Sequence, residues 1–240
     1  MRFGVLSTFP PTPCGVARFG AGLSSALGAH GSAVGVVRVA DDSPPSGGQV
    51  VAELVNGSAR SVAACADTLN LHDVAVIQHE FGIYGGADGV EVLDILEALR
   101  VPSIVVAHTV LENPTPHQRH VFETVTAKAD RVVVMSDVAR KRLSATYAVD
   151  RNKVATIPHG ATLPTAPRVK RASRPTILTW GLLGPGKGIE RVIDAMASLQ
   201  DVPGRPRYVV AGRTHPKVLA AEGEAYRESL VERARLAGVA

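Results

Sequence analysis

Residues 176–196 read TILTWGLLGPGKGIERVIDAM, which places a glycine-rich segment between two segments of different periodicity. The first segment is rich in β-branched and aromatic residues, which favour strands. In the last segment the apolar residues follow the i, i+3, i+4 and i+7 spacing of one helix face, at Ile189, Val192, Ile193 and Met196. The stretch therefore predicts a β-strand, a short glycine loop and an amphipathic α-helix.

The loop of this unit, Gly181 to Gly188, has the composition of a phosphate-binding segment. Glycines let the backbone approach an anion closely, and the free N–H groups at a helix N-terminus point towards it. The helix dipole favours an anion by roughly 0.3–1 kcal/mol, and Lys187 adds a full charge. We predict that Gly186, Lys187 and Gly188 bind phosphate. The alternative is a turn that only links strand to helix.

The same loop nearly matches the P-loop of nucleotide hydrolases. Gly181, Gly186 and Lys187 have the right spacing, but Gly188 stands where that motif has the Ser or Thr that binds magnesium. A P-loop-like nucleotide-binding protein is therefore the weaker alternative.

Similar strand and helix units fill the rest of the sequence. Short β-branched runs alternate with segments of helical period, which is typical of a parallel sheet with crossover helices. The predicted strands are residues 2–6, 33–39, 74–78, 103–107, 131–135, 154–157, 176–180 and 207–211. A helix is predicted to start at Thr115, because Gln118 completes a capping box and Pro116 takes the first helical position. The fold class is α/β.

A break in this pattern falls between Pro164 and Pro175, where prolines and basic residues replace apolar periodicity. We predict a first domain over residues 1–165, a linker over 166–175 and the start of a second domain over 176–240. Two strand and helix units rarely close a domain. We therefore expect the second domain to be incomplete in this sequence, which has the character of a fragment.

The composition excludes several classes of protein. Lys and Arg number 26 against 22 Asp and Glu, and aromatic residues make up 4%, which argues against a nucleic-acid-binding surface. Two cysteines, Cys14 and Cys65, cannot build a disulfide framework. No apolar run has the length of a membrane span or a signal peptide, so we expect a cytoplasmic protein.

Two further clusters of charged or titratable residues favour structural interpretations. The basic run Arg140–Arg142 is interpreted as a solvated helix face, with contact to an anionic membrane surface as the alternative. His117 and His120 lie one helical turn apart without a carboxylate at ligand spacing, so we predict no metal site.

The segment Trp180–Glu190 resembles the start of the donor domain in family 4 glycosyltransferases, which are retaining enzymes of the GT-B fold. Pro13–Ala17 is similar to the glycine loop after the first strand of that family, and Ile157–Gly160 to the turn that ends its acceptor domain. Shorter motifs resemble one subgroup: Gln78–Gly82, His108–Val110 and Thr214–Pro216. The resemblance rests on their order and spacing, and covers essentially the whole chain.

The resemblance implies a complete N-terminal, acceptor-side Rossmann-like domain with a parallel sheet, followed by the start of a second Rossmann-like domain that binds a nucleotide sugar. It implies transfer of a sugar from a nucleoside-diphosphate sugar to a hydroxyl acceptor with retention, without a cofactor. The acceptor, whether sugar, lipid or small molecule, stays unidentified. By this resemblance, Lys187 neutralises the donor diphosphate, Gly15 lets the ligand approach the backbone, and His108 contacts the donor sugar as the catalytic-site residue.

His79 and Glu80 follow a neighbouring strand and are candidates for the same cleft. Many members of the family carry an arginine shortly before the loop lysine. None stands there in this chain, and Arg213 is the candidate substitute. Structural interpretations stay open: His108 as a loop histidine, Gly15 as a turn glycine, and His79 and Glu80 as turn residues.

The family also uses an acidic pair spaced eight residues apart, and by the resemblance its place would lie beyond Ala240. The alternative to a transferase is therefore a non-catalytic binding module.

Overall fold

The computed structural model describes residues 1–41, 43–44, 48–161 and 174–240. The chain divides into two compact units, Met1–Leu163 and Pro164–Ala240. Of the predicted linker over 166–175, only Arg174 and Pro175 fall within the described residues. The basic residues on which that prediction rested lie outside them, except Arg174.

The first unit alternates strands and helices. Its strands are β1 (Arg2–Ser7), β2 (Ala33–Val39), β3 (Val50–Leu54), β4 (Val74–His79), β5 (Ser103–Ala107), β6 (Arg131–Val134) and β7 (Val154–Thr156). Its helices are α1 (Gly15–Ala29), α2 (Ala59–Leu69), α3 (Val92–Ala98), α4 (Pro116–Lys128) and α5 (Asp137–Thr146), with short 3-10 turns at Ala87–Gly89 and Arg151–Lys153.

The seven strands described in this unit all pair in parallel, in the order β3-β2-β1-β4-β5-β6-β7. The chain moves from β1 outward to β3 and then returns to place β4 on the other side of β1. The order of strands therefore reverses between β1 and β4. Open α/β sheets bind ligands outside the carboxyl ends of the strands at such a switch point.

The six strands predicted for this unit are confirmed to within one residue at each end. Strand β3 was not predicted. Its sequence, VVAEL, ends in residues that favour helices, and it lies at the sheet edge with alternate residues exposed. Half-exposed edge strands give a weaker apolar signal than central ones.

The sheet is covered on both sides, because successive residues of a strand point to opposite faces. On one face, Val5 and Val76 join a cluster that includes Phe19 of α1. On the other face, Ile77 joins a larger cluster with side chains of α2, α3, α4 and α5, among them Phe122. In β4, Gln78 therefore faces the side of α1, and His79 faces the opposite side.

Side-chain caps fix the starts of several helices, α4 and α5 among them. Thr115 and Gln118 form the predicted capping box of α4, which is confirmed. Ser136 caps α5 by accepting the N–H of Ala139 at 3.1 Å. These caps satisfy backbone N–H groups that the helices themselves leave unpaired.

The interpretation of Arg140–Arg142 as a solvated helix face is wrong for two of the three residues. Arg140 donates to the carbonyl of Val154 at 2.8 Å, and Arg142 to that of Val110 at 3.1 Å. Both side chains therefore tie α5 to neighbouring backbone, because guanidinium groups satisfy carbonyls that end strands and loops.

The second unit contains the parallel strands β8 (Thr176–Trp180) and β9 (Arg207–Ala211), both as predicted. Its helices are α6 (Ile189–Ala197), α7 (Pro216–Glu222) and α8 (Ala225–Leu236). A small core holds α6 against α8, with Leu183, Ile189, Ile193, Tyr226 and Leu230. In the part of the chain that the structure describes, none of the helices has the length and apolar character needed to cross a membrane.

Candidate functional site

The loop from β1 into α1 lies at the switch point of the first unit. Cys14 caps α1, with its sulfur accepting the N–H of Ala17 at 3.3 Å and lying 3.1 Å from the hydroxyl of Thr8. The first-turn N–H groups of a helix have no intrahelical partner. A Cβ added at Gly15 would meet no described atom within 4 Å. The helix therefore starts with open space beside its backbone.

His108 follows β5 at the same edge of the sheet. Its backbone N–H donates to the carbonyl of His79 at 3.0 Å, and its Nε2 lies 2.7 Å from Oε1 of Gln78. Burial, with a smaller contribution from His159, lowers the pKa of His108 to about 4. The imidazole is therefore neutral at pH 7.

Three rings from different elements meet around Phe19 of α1. The ring centroids of Phe19 and His108 are 4.9 Å apart at 88°, and those of Phe19 and His159 are 5.0 Å apart at 65°. His159 is exposed and follows β7. The packing therefore brings His108 and His159 into contact with the same side chain, that of Phe19, although the two histidines are 51 positions apart in the sequence (159 − 108).

Neither Gln78 nor Phe19 was selected as a site residue from the sequence. A glutamine in the apolar run VAVIQH was the available signal for Gln78, since buried polar groups need partners. No comparable signal marks Phe19, because an aromatic residue in a helix usually belongs to the core.

His79 points to the other face of the sheet and is wholly buried. Its ring lies 5.1 Å from both Phe81 and Phe122, and neither of its ring nitrogens has a partner among the described residues. Burial, and then the proximity of His108, lowers the pKa of His79 to about 4. The side chain is a neutral part of the core and has no exposed atom.

Glu80 connects the loops after β4 and β5. One carboxylate oxygen accepts the N–H of Phe81 at 3.1 Å, and the other accepts the hydroxyl of Thr109. The carboxylate thus satisfies local donors in the way that turn residues do.

In the second unit, the glycine loop adopts a backbone conformation that favours glycine. Gly186 has φ +87° and Gly188 has φ +71°, and Gly188 is the N-cap residue of α6. It has no side chain to cap the helix, and no side-chain cap hydrogen bond forms there; in the first turn, the Glu190 carboxylate accepts its own backbone N–H. Lys187 is exposed and forms no ion pair with any residue that the structure describes.

Arg213 is held beside this loop. The N–H of Leu183 donates to the carbonyl of Arg213 at 2.8 Å, and the N–H of His215 donates back to Leu183 at 2.8 Å. A Cβ on Gly212 would lie 1.8 Å from the carbonyl oxygen of Gly181, so only glycine fits there. The Arg213 side chain is exposed and has no ion-pair partner in residues 174–240.

His117 has a carboxylate partner that sequence spacing did not reveal. Its Nδ1 lies 2.7 Å from Oδ2 of Asp88, which is a non-glycine residue at φ +53°. Within the described ranges no group of three or more His, Cys, Asp or Glu side chains is arranged to hold a metal ion.

No protein-family model and no curated protein matches the chain. Solved structures do match it. An alpha-glucosyltransferase in complex with UDP and a DNA 13-mer aligns with TM-score 0.60 and 15% identity, over 94% of this chain and 59% of its own. The lipopolysaccharide outer core galactosyltransferase WaaB, in its apo form, aligns with TM-score 0.57 and 12% identity, over 97% and 66%.

A point mutant of S. aureus TarM, in complex with fondaparinux, alpha-GlcNAc-glycerol and UDP, aligns with TM-score 0.51 and 11% identity, over 75% of this chain and 35% of its own. The chain thus spans from about a third to just under two thirds of the length of these proteins. They are GT-B glycosyltransferases, and at such low identity the likeness shows the fold. The chain has the GT-B type of α/β fold.

Proposed function

We propose that this chain belongs to a glycosyltransferase that moves a sugar from a nucleoside-diphosphate sugar to a hydroxyl acceptor, with retention of anomeric configuration. The observation that carries the proposal is the glycine loop of the second unit. Left-handed glycines, an uncapped helix N-terminus and Lys187, which has no ion-pair partner among the described residues, occur together at the carboxyl end of β8. This combination binds phosphate groups in many unrelated proteins.

The solved structures support the choice of donor. The alpha-glucosyltransferase and the TarM mutant both hold UDP. We therefore choose uridine-diphosphate sugars as the first probes, although the base is not part of the proposal. The acceptor class, whether sugar, lipid or small molecule, is left to experiment. The partners of the proposed enzyme do not include nucleic acid.

The proposed roles follow from charge and hydrogen-bonding capacity. Lys187 and Arg213 neutralise the diphosphate as it leaves, since fixed charges help most where negative charge develops. His108, as a neutral ring, contacts the donor sugar. Gly15 leaves the start of α1 open to the ligand, and the proposal includes neither metal nor cofactor.

Retention is proposed through a front-face displacement. The bond between the anomeric carbon and the phosphate oxygen breaks, and the acceptor oxygen forms its new bond on the same face. The acceptor proton passes to the departing phosphate oxygen, so the step needs no further reactant. We place the reaction in the cytoplasm, since the free thiols of Cys14 and Cys65 suit a reducing compartment.

Calorimetric titration of the full chain with UDP-, GDP- and ADP-glucose tests the proposal. We expect Lys187→Ala to weaken binding of the preferred nucleotide sugar by about tenfold to a hundredfold, because a hydrogen bond to a charged group contributes about 1.5–3 kcal/mol. The matched control is Lys217→Ala, which removes an exposed lysine of α7 in the same unit. Equal affinities for the two variants would contradict the proposal.

The same titrations separate the alternatives. Magnesium-dependent binding of ATP or GTP that is lost in Lys187→Ala would instead support a P-loop-like protein. Nucleotide-sugar binding that appears only when downstream sequence is added would support the transferase, whereas a chain that binds none even then would support the non-catalytic binding module. Retention is read by NMR from the anomer first released when water acts as the acceptor.

A further inference from the structure

Gln78 follows four apolar residues in strand β4. It is wholly buried on the α1 side of the sheet, and Tyr84 donates to its backbone carbonyl at 2.7 Å. Burying an amide is costly unless it forms hydrogen bonds. Its side-chain Oε1 lies 2.7 Å from Nε2 of His108, and its Nε2 has no partner within the described part of the chain. Among the described residues, the hydrogen bond to His108 is therefore the one polar contact of the Gln78 side chain.

His108 is fixed from three directions. Its backbone N–H donates to the carbonyl of His79 at 3.0 Å, its ring packs edge-on against Phe19, and Gln78 meets Nε2. These contacts leave the ring little freedom to rotate.

The contact with Gln78 decides which ring nitrogen carries the proton. An amide carbonyl oxygen only accepts hydrogen bonds, so Nε2 of His108 is the donor, and Nδ1 carries the lone pair in the neutral ring. No described residue forms a hydrogen bond with Nδ1. Nδ1 is thus an acceptor with no partner in the described part of the chain, at the carboxyl edge where open α/β sheets bind ligands.

We propose that Gln78 is a positioning residue, which holds His108 in the Nε2–H tautomer so that Nδ1 accepts a hydrogen bond from a ligand hydroxyl. The identity of that ligand as the sugar of a nucleotide sugar rests on the proposed function. The assignment of the tautomer does not rest on the proposed function, because it follows from the contact between Gln78 and His108.

The choice of an amide over a carboxylate at this position has a physical reason. Burial already lowers the pKa of His108 to about 4, which keeps the ring neutral and Nδ1 unprotonated. A carboxylate at position 78 would favour the charged ring and raise that pKa. In the charged ring both nitrogens are donors, and Nδ1 no longer accepts.

The tautomer is tested by nitrogen-15 NMR of the full chain without ligand. We expect the chemical shifts of His108 to report the Nε2–H tautomer, with a protected Nε2–H proton signal at pH 7. Gln78→Leu should lose that protected signal. Gln78→Glu should keep it and raise the pKa of His108 by about one or more. The matched control, Gln200→Leu in the second unit, should leave every His108 signal unchanged.

The ligand is tested with UDP-glucose. We expect Gln78→Leu to bind it about tenfold more weakly, the effect of one hydrogen bond. Gln78→Glu should approach the unaltered affinity at high pH and lose affinity as the pH falls through the raised pKa of His108. Because protonation of His108 removes the lone pair of Nδ1, this pH dependence would appear only if Nδ1 accepts a hydrogen bond from the ligand.

Several results would overturn the inference. An Nδ1–H tautomer of His108 in the unaltered chain would overturn it. So would a pKa of His108 that does not rise in Gln78→Glu. This second test remains valid even if Gln78→Leu fails to fold. A chain with the Nε2–H tautomer that binds no nucleotide sugar would contradict the proposed function and still support the positioning of His108.

Discussion

Arg38 of β2 and Glu53 of β3 stand opposite each other in the sheet, with Nη1 of Arg38 2.6 Å from Oε1 of Glu53. The Arg38 side chain is wholly buried, and it also pairs with Asp41. Further bonds from Arg38 reach the hydroxyl of Thr12 at 3.1 Å and the carbonyl of Ser43 at 3.0 Å. One guanidinium therefore connects the edge strand to the loop that leads into α1.

We expect Arg38→Met to lower the free energy of unfolding by about 2–3 kcal/mol. The change removes several hydrogen bonds to a charged group, but both carboxylates are about a third exposed and stay hydrated. Urea denaturation measures the effect. As control, Arg2→Met breaks the exposed pair with Asp73 and should cost less than about 1 kcal/mol. Equal losses of unfolding free energy in the two variants would show that the hydrogen bonds of Arg38 do not stabilise the fold more than an exposed ion pair does.

Gly212→Ala should destabilise the second unit by about 3 kcal/mol, since its Cβ would clash with the backbone of Gly181 at 1.8 Å. Gly22→Ala is the matched control. It lies in α1 with open space around the added methyl group, so it should stabilise by about 0.5–1 kcal/mol. Thermal unfolding of both variants checks the pair, and a tolerated Gly212→Ala would contradict the close approach of the two loops.

Stability should fall as the pH is lowered from 7 to 4. The pKa of buried His79 is about 4 in the folded chain against 6.5 as the ordinary value. The unfolded chain therefore binds more protons between these values, and the folded state loses about 3 kcal/mol at this one site. His79→Phe, which suits the aromatic cluster, should remove only the part of the loss that His79 causes in denaturation curves at pH 7 and pH 4, because His108, whose pKa is also lowered to about 4, still contributes over the same range. His120→Phe, on the exposed side of α4, should leave it unchanged.

Arg213→Ala should weaken nucleotide-sugar binding by about fivefold or more, because an exposed cation beside the glycine loop is lost. Its effect should shrink at high salt, since exposed charges are screened. Arg191→Ala removes an exposed arginine from α6 and provides the comparison. If Arg191→Ala has the larger effect in the same titration, Arg213 does not take the place of the missing loop arginine.

The sequence predicts those features that depend on neighbouring residues. The run SIVVA predicts β5 because its β-branched residues are contiguous, and Thr115 predicts the start of α4 because a capping box spans four positions. Strand β3 was missed because its pairing with β2, rather than its composition, decides its conformation.

The contacts of the candidate site join residues far apart in the sequence. Gln78 and His108 are 30 residues apart and meet only because β4 pairs with β5 in one particular register. Phe19 reaches His108 only because α1 packs on that face of the sheet. The glycine loop could be recognised from sequence. The position of Arg213 beside the loop could not, because it depends on the parallel pairing of β8 and β9.

Because the space beside Gly15 is open, substitutions at this position can measure the size of a ligand bound at the start of α1. Because the described chain places no atom where a side chain would go, Ala, Val and Leu at position 15 should fold alike while intruding progressively into the ligand's volume. A graded loss of affinity along this series would measure the clearance above the helix, and the size at which binding ends would select among smaller and larger donor sugars. Under the proposed function, position 15 is therefore a place to engineer selectivity without rebuilding the protein around it.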